Sequence, residues 1–299
     1  MSEYVYVPAN QFTPNNGHWT SLTDVTALAQ NGNEFRFTMS SGPAPLLLFL
    51  TPSIFRLRFN PAASYARDVS AAVVNSDFGA VDVTVTDNGS EFVLDTGTIQ
   101  VHIAKTPYAL SVYRNGQRIH SDTPAYNVVY IPNQQVVANF KIAPPDALYY
   151  GFGEKAGSTL AKNNFDMTFF NWDNFEYGQG NVGGEGGGPL NPSEPLYCSV
   201  PFLIETNPTP AGGGARYSYG IFFDNPAQTY INVTANDYSD MSGKYYVGAL
   251  YGDLNLYFIY GAEVPDVIDG YTSLTGRPSM PPKYALGYHQ GCYGYWNAA

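Results

Sequence analysis

A predominantly β fold, a sandwich or a barrel, is predicted by three features of this sequence. First, 25 Tyr and 18 Phe help to raise the aromatic share to 15%, while charged residues make up only 13%. Tyr, Phe, Val and Thr suit pleated, half-buried surfaces, and charge at this level is about half the usual share. Second, 30 Gly and 22 Pro supply turns throughout. Third, short alternating or apolar runs of strand length succeed one another from residue 34 to 117, each bounded by Gly, Pro, Asn or Asp. Many short strands separated by turn residues build sandwiches and barrels.

Taken in order, strands are expected at 34–39, 46–50, 54–59, 81–86, 91–94, 99–103 and 110–113. VDVTVT at 81–86 alternates most cleanly, with one face apolar and the other polar. Asp87-Asn88-Gly89-Ser90 and Arg114-Asn115-Gly116-Gln117 carry the residues that tolerate positive φ, so each predicts a hairpin. Further strands are expected at 128–131, 136–142 and 147–152, and then at 199–205, 217–224, 229–233, 244–250 and 254–260. One helix is predicted near the end. Val264, Val267, Ile268, Tyr271 and Leu274 repeat at helical spacing, with Pro265 in the first turn and Gly276 as the stop. An extended linker at 277–283 leads to a strand at 284–288.

Charge and patterning exclude several functions. A net charge of −11 with no basic cluster disfavours nucleic acid, which is bound mainly by Lys and Arg neutralising phosphates. The first residues, MSEYVYVPANQF, lack the positive and apolar regions of a secretory signal, and the apolar run 46–50 is too short to span a bilayer. A cytoplasmic protein without membrane association is therefore expected. Cys198 and Cys292 are read as buried free thiols rather than a disulfide framework. His18, His102, His120 and His289 do not fall at ligand spacing, so neither metal nor cofactor is expected. Asn88 and Asn232 match the N-glycosylation pattern, which matters only in a secreted protein. The glycines of 178–183 match a dinucleotide fingerprint formally, but more glycine and Pro189 follow where a helix would have to hold the pyrophosphate. No GxSxG elbow supports a serine hydrolase.

The stretch 165–197 remains. It sets Asp173 among Phe169, Phe170, Trp172, Phe175 and Tyr177 and continues into a glycine-rich segment. Aromatic faces and a carboxylate suit a sugar, which offers apolar C–H faces and vicinal hydroxyls. The alternative is that the aromatics are core and Asp173 closes a turn. An excursion of this length between strands is usually functional. Glycosidase chemistry needs two carboxyl groups flanking one bond. Glu154, Asp166, Asp173, Glu176 and Asp224 are candidates, each equally readable as a turn former or a strand-end hydrogen bonder.

Six blocks, in order, carry a resemblance over nearly the whole chain: FRLRFNP (55–61), YYGFGE (149–154), MTFFNWDN (167–174), PLY (195–197) with PF (201–202), YSYGIFFDN (217–225) and RPSMPPKYALGYH (277–289). Together they resemble glycoside hydrolase family 31, which includes α-glucosidases, α-xylosidases, transglycosylases and α-1,4-glucan lyases. FNWDNFEYGQ, the LNP before PLY and PPKYALGYHQG are most similar to the lyase branch. The resemblance implies a galactose-mutarotase-like β-sandwich over residues 1–275, with a loop at 163–197 that reaches an active site. Residues 276–299 would then begin a (β/α)₈ barrel with its first strand. The family's nucleophilic and acid/base Asp residues lie on later barrel strands, so the expectation is that this chain contains no catalytic residue. Two positions match substrate-binding ones: Asp173, whose counterpart binds sugar hydroxyls in subsite +1, and Tyr293, whose counterpart lines subsite −1. The implied substrate is an α-glucan or malto-oligosaccharide.

The implied function is thus the N-terminal part of an α-glucosidase-type enzyme, itself inactive, with an α-1,4-glucan lyase as the alternative outcome. A self-contained, non-catalytic sugar-binding sandwich is the rival reading. It leaves the block 281–291 unexplained, because a single parallel strand without neighbours exposes apolar surface and unpaired backbone.

Overall fold

The computed structural model describes residues 7–14, 18–65, 68–171, 193, 195–235, 240–289 and 291. Three antiparallel sheets organise them. The largest has eight strands in the order β13 (Leu148–Gly153), β15 (Ser199–Asn207), β16 (Tyr217–Phe223), β19 (Leu254–Gly261), β5 (Ile54–Phe59), β4 (Leu46–Thr51), β3 (Glu34–Met39) and β2 (Val25–Asn31). A six-stranded sheet runs β1 (Thr20–Ser21), β11 (Val128–Tyr130), β12 (Val137–Ile142), β18 (Lys244–Ala249), β17 (Thr229–Val233) and β14 (Phe165–Phe169). The third sheet has five strands: β10 (Gln117–Ser121), β9 (Tyr108–Arg114), β8 (Gln100–Lys105), β7 (Glu91–Asp95) and β6 (Thr84–Asp87).

Alternation along the strands decides what each face meets. In β5, Phe55, Leu57 and Phe59 turn inward and join Phe35, Phe37 and Phe258. They pack against Leu94, Val101 and Ile103 of the five-stranded sheet and Val137, Ile231 and Val247 of the six-stranded one. One face of the eight-stranded sheet therefore covers both smaller sheets, making the sandwich. Its other face carries a second cluster, Ile54, Phe202, Ile204, Phe222 and Ile259, under Val267 and Leu274 of α1 (Val264–Thr275). Tyr271 stacks on Phe202 with centroids 4.0 Å apart. At the start of α1 the Asp266 carboxylate accepts the Glu263 N–H at 3.0 Å, satisfying a helix-start donor. The outer face of the six-stranded sheet is covered by residues 7–14, where Phe12 stacks on Tyr230 at 4.3 Å.

The expected hairpins form. Asn115 and Gly116 both have positive φ (50° and 77°) between Arg114 and its partner Gln117, and Gly89 (φ 93°) turns β6 into β7. Five readings are corrected. The strand expected at 81–86 begins only at Thr84 and is exposed along its whole length, because β6 lies at the edge of its sheet. β1 and β2 were not foreseen; β2 is mostly exposed, and the Ala, Gln and Asn there have little strand preference, so pairing with β3 decides it. Phe165–Phe169, expected as part of the loop, is β14, paired with β17. Cys198 is exposed rather than buried, and Cys292 lies outside the described residues. The strand expected at 284–288 is instead a 3-10 turn, Lys283–Leu286, with Tyr284, Leu286 and Tyr288 exposed. A barrel strand is held by neighbours on both edges, and none pairs with it among the described residues.

Candidate functional site

The loop after β14 is anchored at its base by hydrogen bonds that the sequence blocks place. Phe170 N–H donates to Ser199 Oγ at 2.9 Å, and Ser199 N–H donates to Asn171 Oδ1 at 2.8 Å, so the two stems are tied at residues 170–171 and 199. Thr168 N–H donates to the Ser193 carbonyl at 3.0 Å. The block YYGFGE forms a third wall. Glu154 N–H donates to the Cys198 carbonyl at 3.0 Å, while its carboxylate accepts the Cys198 N–H at 3.0 Å. Lys155 caps the Thr168 carbonyl and sits 4.5 Å from the Phe169 ring centroid.

Backbone geometry explains the glycines of that block. Gly151, Phe152 and Gly153 all have positive φ (93°, 70° and 65°), where the β13–β15 register shifts. A Cβ on Gly153 would lie 2.6 Å from Val200 N, and one on Gly151 2.7 Å from the Phe202 carbonyl oxygen. The kink drives Phe152 fully into the core. Asp173 is two residues beyond Asn171; it, Glu176 and Tyr293 lie outside the described residues.

Of the other candidate carboxylates, Glu154 and Asp224 have local structural roles. Glu154 staples the loop base, and Asp166 lies within β14. Asp224 caps the end of β16, accepting Ser70 Oγ–H at 3.0 Å and Asn255 Nδ2–H at 3.2 Å; burial pushes its pKa up. Asn232 is fully buried, its side chain bonded to Ala235, and offers no surface for a glycan.

Two buried polar centres escaped the sequence reading. Asp122 and Lys141 form an ion pair at 2.6 Å with side-chain exposures of 0% and 2%. Asp122 also accepts the Leu110 N–H at 2.9 Å and Asn139 Nδ2–H at 3.1 Å, which joins the five- and six-stranded sheets. Glu205 is buried, accepting the hydroxyl of Tyr217 at 3.2 Å and that of Tyr219, which lies 3.1 Å from the Tyr245 hydroxyl. Burial, opposed by the tyrosine hydroxyls, pushes the Glu205 pKa up to about 7. His120, edge-on to the Tyr219 ring at 4.9 Å, is held neutral by burial and by nearby Lys141. Nothing in strand periodicity marks Glu205, Asp122 or His120 as inward-facing polar groups; only the assembled sheets do.

Among the described residues, no group of three or more His, Cys, Asp or Glu is placed to hold a metal ion, and no helix is long and apolar enough to cross a membrane.

Comparison with known proteins gives this geometry a context. Residues 47–232 match the model of the glycosyl hydrolase 31 N-terminal galactose mutarotase-like domain. Over 279 residues the chain is 30% identical to α-glucosidase 2 of Bacillus thermoamyloliquefaciens, covering 93% of this chain and 32% of that protein. Over 289 residues it is 24% identical to an isomaltosyltransferase of Sporosarcina globispora, covering 90% of this chain and 23% of that protein. The chain thus spans a third or less of the length of these relatives. A family 31 dextranase of Flavobacterium johnsoniae, solved with isomaltotriose, superposes with a TM-score of 0.74 at 26% identity, over 90% of this chain and 30% of that one. The α-1,4-glucan lyase of Gracilariopsis lemaneiformis superposes with a TM-score of 0.78 at 23% identity, over 95% and 34%. The sandwich is therefore a galactose mutarotase-like domain of the kind found at the N-terminus of glycosyl hydrolase 31 proteins. The chain belongs to glycoside hydrolase family 31, whose N-terminal domain it contains.

Proposed function

We propose that this chain is the substrate-positioning sandwich of a retaining enzyme that cleaves α-glucosidic bonds, and that it holds no catalytic residue itself. On this reading residues 1–275 are the sandwich, 276–299 lead into a (β/α)₈ barrel, and the barrel carries the chemistry. There a carboxylate oxygen attacks the anomeric carbon, the glycosidic C–O bond breaks, and the leaving oxygen takes a proton from a second acid. Water then attacks the same carbon and releases the sugar, as in an α-glucosidase. Elimination of the C2 proton would release an unsaturated sugar instead, as in a glucan lyase.

The observation that carries the proposal is the stapled base of the loop at Asn171, Cys198 and Ser199. Both stems are fixed at the end of a rigid sheet, as the support of a positioning element must be. Asp173 would accept hydroxyls of the sugar on the leaving-group side, and Tyr293 would pack against the sugar being cleaved. The relatives' names, α-glucosidase and isomaltosyltransferase, support an α-glucan substrate.

Asp173→Ala in the full-length enzyme tests the assignment. It raises KM for maltose about tenfold or more, the worth of one charged hydrogen bond, with the melting temperature unchanged. Unaltered kinetics would return Asp173 to a turn role. Residues 1–299 alone release no glucose from maltose; turnover by the purified chain would refute the absence of catalytic residues.

A further inference from the structure

The outer face of the eight-stranded sheet is only half covered by α1. On the half away from α1, beneath Tyr65 and Asp68, Arg56 and Arg58, at positions i and i+2 of β5, point the same way, opposite to the inward Phe55, Leu57 and Phe59. Their cross-strand partners are Tyr257 and Asn255 of β19. Together with the segments at the strand ends they line a cleft of about 430 Å³. Phe202 pairs with Phe222 and Phe59 with Leu254, so the cleft and the stapled loop base occupy the same end of the sheet.

We propose that this cleft is a second saccharide-binding site, distinct from the Asp173 loop, for a neutral, hydroxyl-rich ligand of one to three glucosyl units. Its volume falls in the range that encloses small ligands. Arg56, only 5% exposed, is held by a two-pronged ion pair to Asp68 (2.9 and 2.7 Å) and donates through Nε to Asn255 at 2.8 Å. Arg58, 9% exposed, donates to Asp253 at 2.7 Å, and its Nε–H is buried with no hydrogen-bond partner. Buried arginines fixed by carboxylates in this way form a rigid polar floor whose cost in ordering is met before any ligand arrives.

The charges on the wall select the class of ligand. Among the described residues of the wall, two arginines face three aspartates, Asp68, Asp224 and Asp253, an excess of one negative charge. A phosphate or carboxylate ligand would meet that excess, and a cation would meet the guanidinium groups. A polyol meets neither objection and uses both kinds of group. The Asp68 side chain remains 60% exposed, open to accept hydroxyls while Arg56 holds it. Ser64 and Gln135 add exposed donors and acceptors at the rim, and Tyr251, 67% exposed, offers a ring to the apolar face of a pyranose.

Titration of the 299-residue chain with maltotriose and with isomaltotriose, by calorimetry and by amide chemical shifts, tests the site. The expected result is a dissociation constant on the order of 1 mM for at least one of them, with shifts at residues 251–255 and 58–64. Tyr251→Ala and Asp68→Ala should each weaken binding about tenfold, the worth of one stacked ring or one charged hydrogen bond. Asp173→Ala should leave it unchanged. Tyr251 is exposed, so its variant keeps the fold even if Asp68→Ala perturbs Arg56. No saturable binding, binding that survives Tyr251→Ala, or displacement of the sugar by inorganic phosphate overturns the proposal. Loss of binding in Asp173→Ala alone overturns it while supporting the loop reading.

Discussion

Glu154 and Cys198 are joined by two hydrogen bonds of 3.0 Å, one between backbones and one from the Cys198 N–H to the Glu154 carboxylate. The pair closes the base of a loop whose stems belong to different sheets, β14 in one and β15 in the other. Glu154→Ala removes only the side-chain bond. Because the pair is exposed, the global stability should change by less than about 1 kcal/mol. The local effect is larger: the Cys198 amide should exchange with solvent about fivefold faster, read by hydrogen exchange. The Cys198 thiol, being exposed, should react with a thiol reagent in the native protein.

Gly153→Ala should destabilise the chain by about 2 kcal/mol or more. The substitution adds a Cβ at φ 65° and brings it within 2.6 Å of Val200 N, which is backbone and cannot swing away. Urea denaturation measures the loss. Gly89→Ala, at a positive φ of 93° but with open space around it, should cost less, which separates the clash from the conformational strain.

Lys141→Met should cost about 3–5 kcal/mol, since it leaves Asp122 charged in the core with only its Leu110 and Asn139 donors. Replacing both partners by apolar residues of similar volume, as in Asp122→Leu with Lys141→Met, should recover part of that loss. A double-mutant cycle by chemical denaturation gives the coupling. If the single variant proves as stable as the wild type, the two sheets are not held together at this point.

The pH dependence of stability should bear the mark of Glu205. Its pKa is pushed up to about 7 in the folded chain from an ordinary 4.5, so between those values the folded state binds more protons than the unfolded one. The Glu205 contribution is therefore fully present below about pH 4.5 and is lost as pH rises through about 7. The whole loss is about 3 kcal/mol at 1.36 kcal/mol per unit. His120 acts oppositely: its pKa is depressed, so its contribution is lost as pH falls below its ordinary 6.5. Wild-type stability should consequently vary little from pH 5 to 6.5 and decline toward 7.5. Glu205→Gln should instead gain stability up to about pH 6.5 and then level off, as measured by thermal denaturation at half-unit intervals. Parallel curves for the two proteins would contradict the raised pKa.

Much of the scaffold was legible because strand alternation and turn chemistry are local. FRLRF shows its two faces in five residues, and Arg114-Asn115-Gly116-Gln117 names its own turn. β2 and β14 were not legible in this way. Thr26, Ala27, Ala29 and Gln30 gain a strand only by pairing with β3, and Phe165–Phe169 reads as the start of an aromatic loop until β17 lies beside it. The candidate acids divide similarly. Glu154 and Asp224 stood out as chemistry-bearing residues, yet the structure uses one as a staple and the other as a strand-end cap.

By itself the sequence determined the sheet-rich class, two of the hairpins, the helix Val264–Thr275 and, through six ordered blocks, the family, because periodicity and motif order survive without coordinates. Only the tertiary structure decided which polar groups turn inward and which strand ends meet. Glu205 and Tyr219 lie 14 residues apart, Arg58 and Asp253 195 apart. Pairs so distant are set by sheet order and register, and a one-dimensional pattern carries neither.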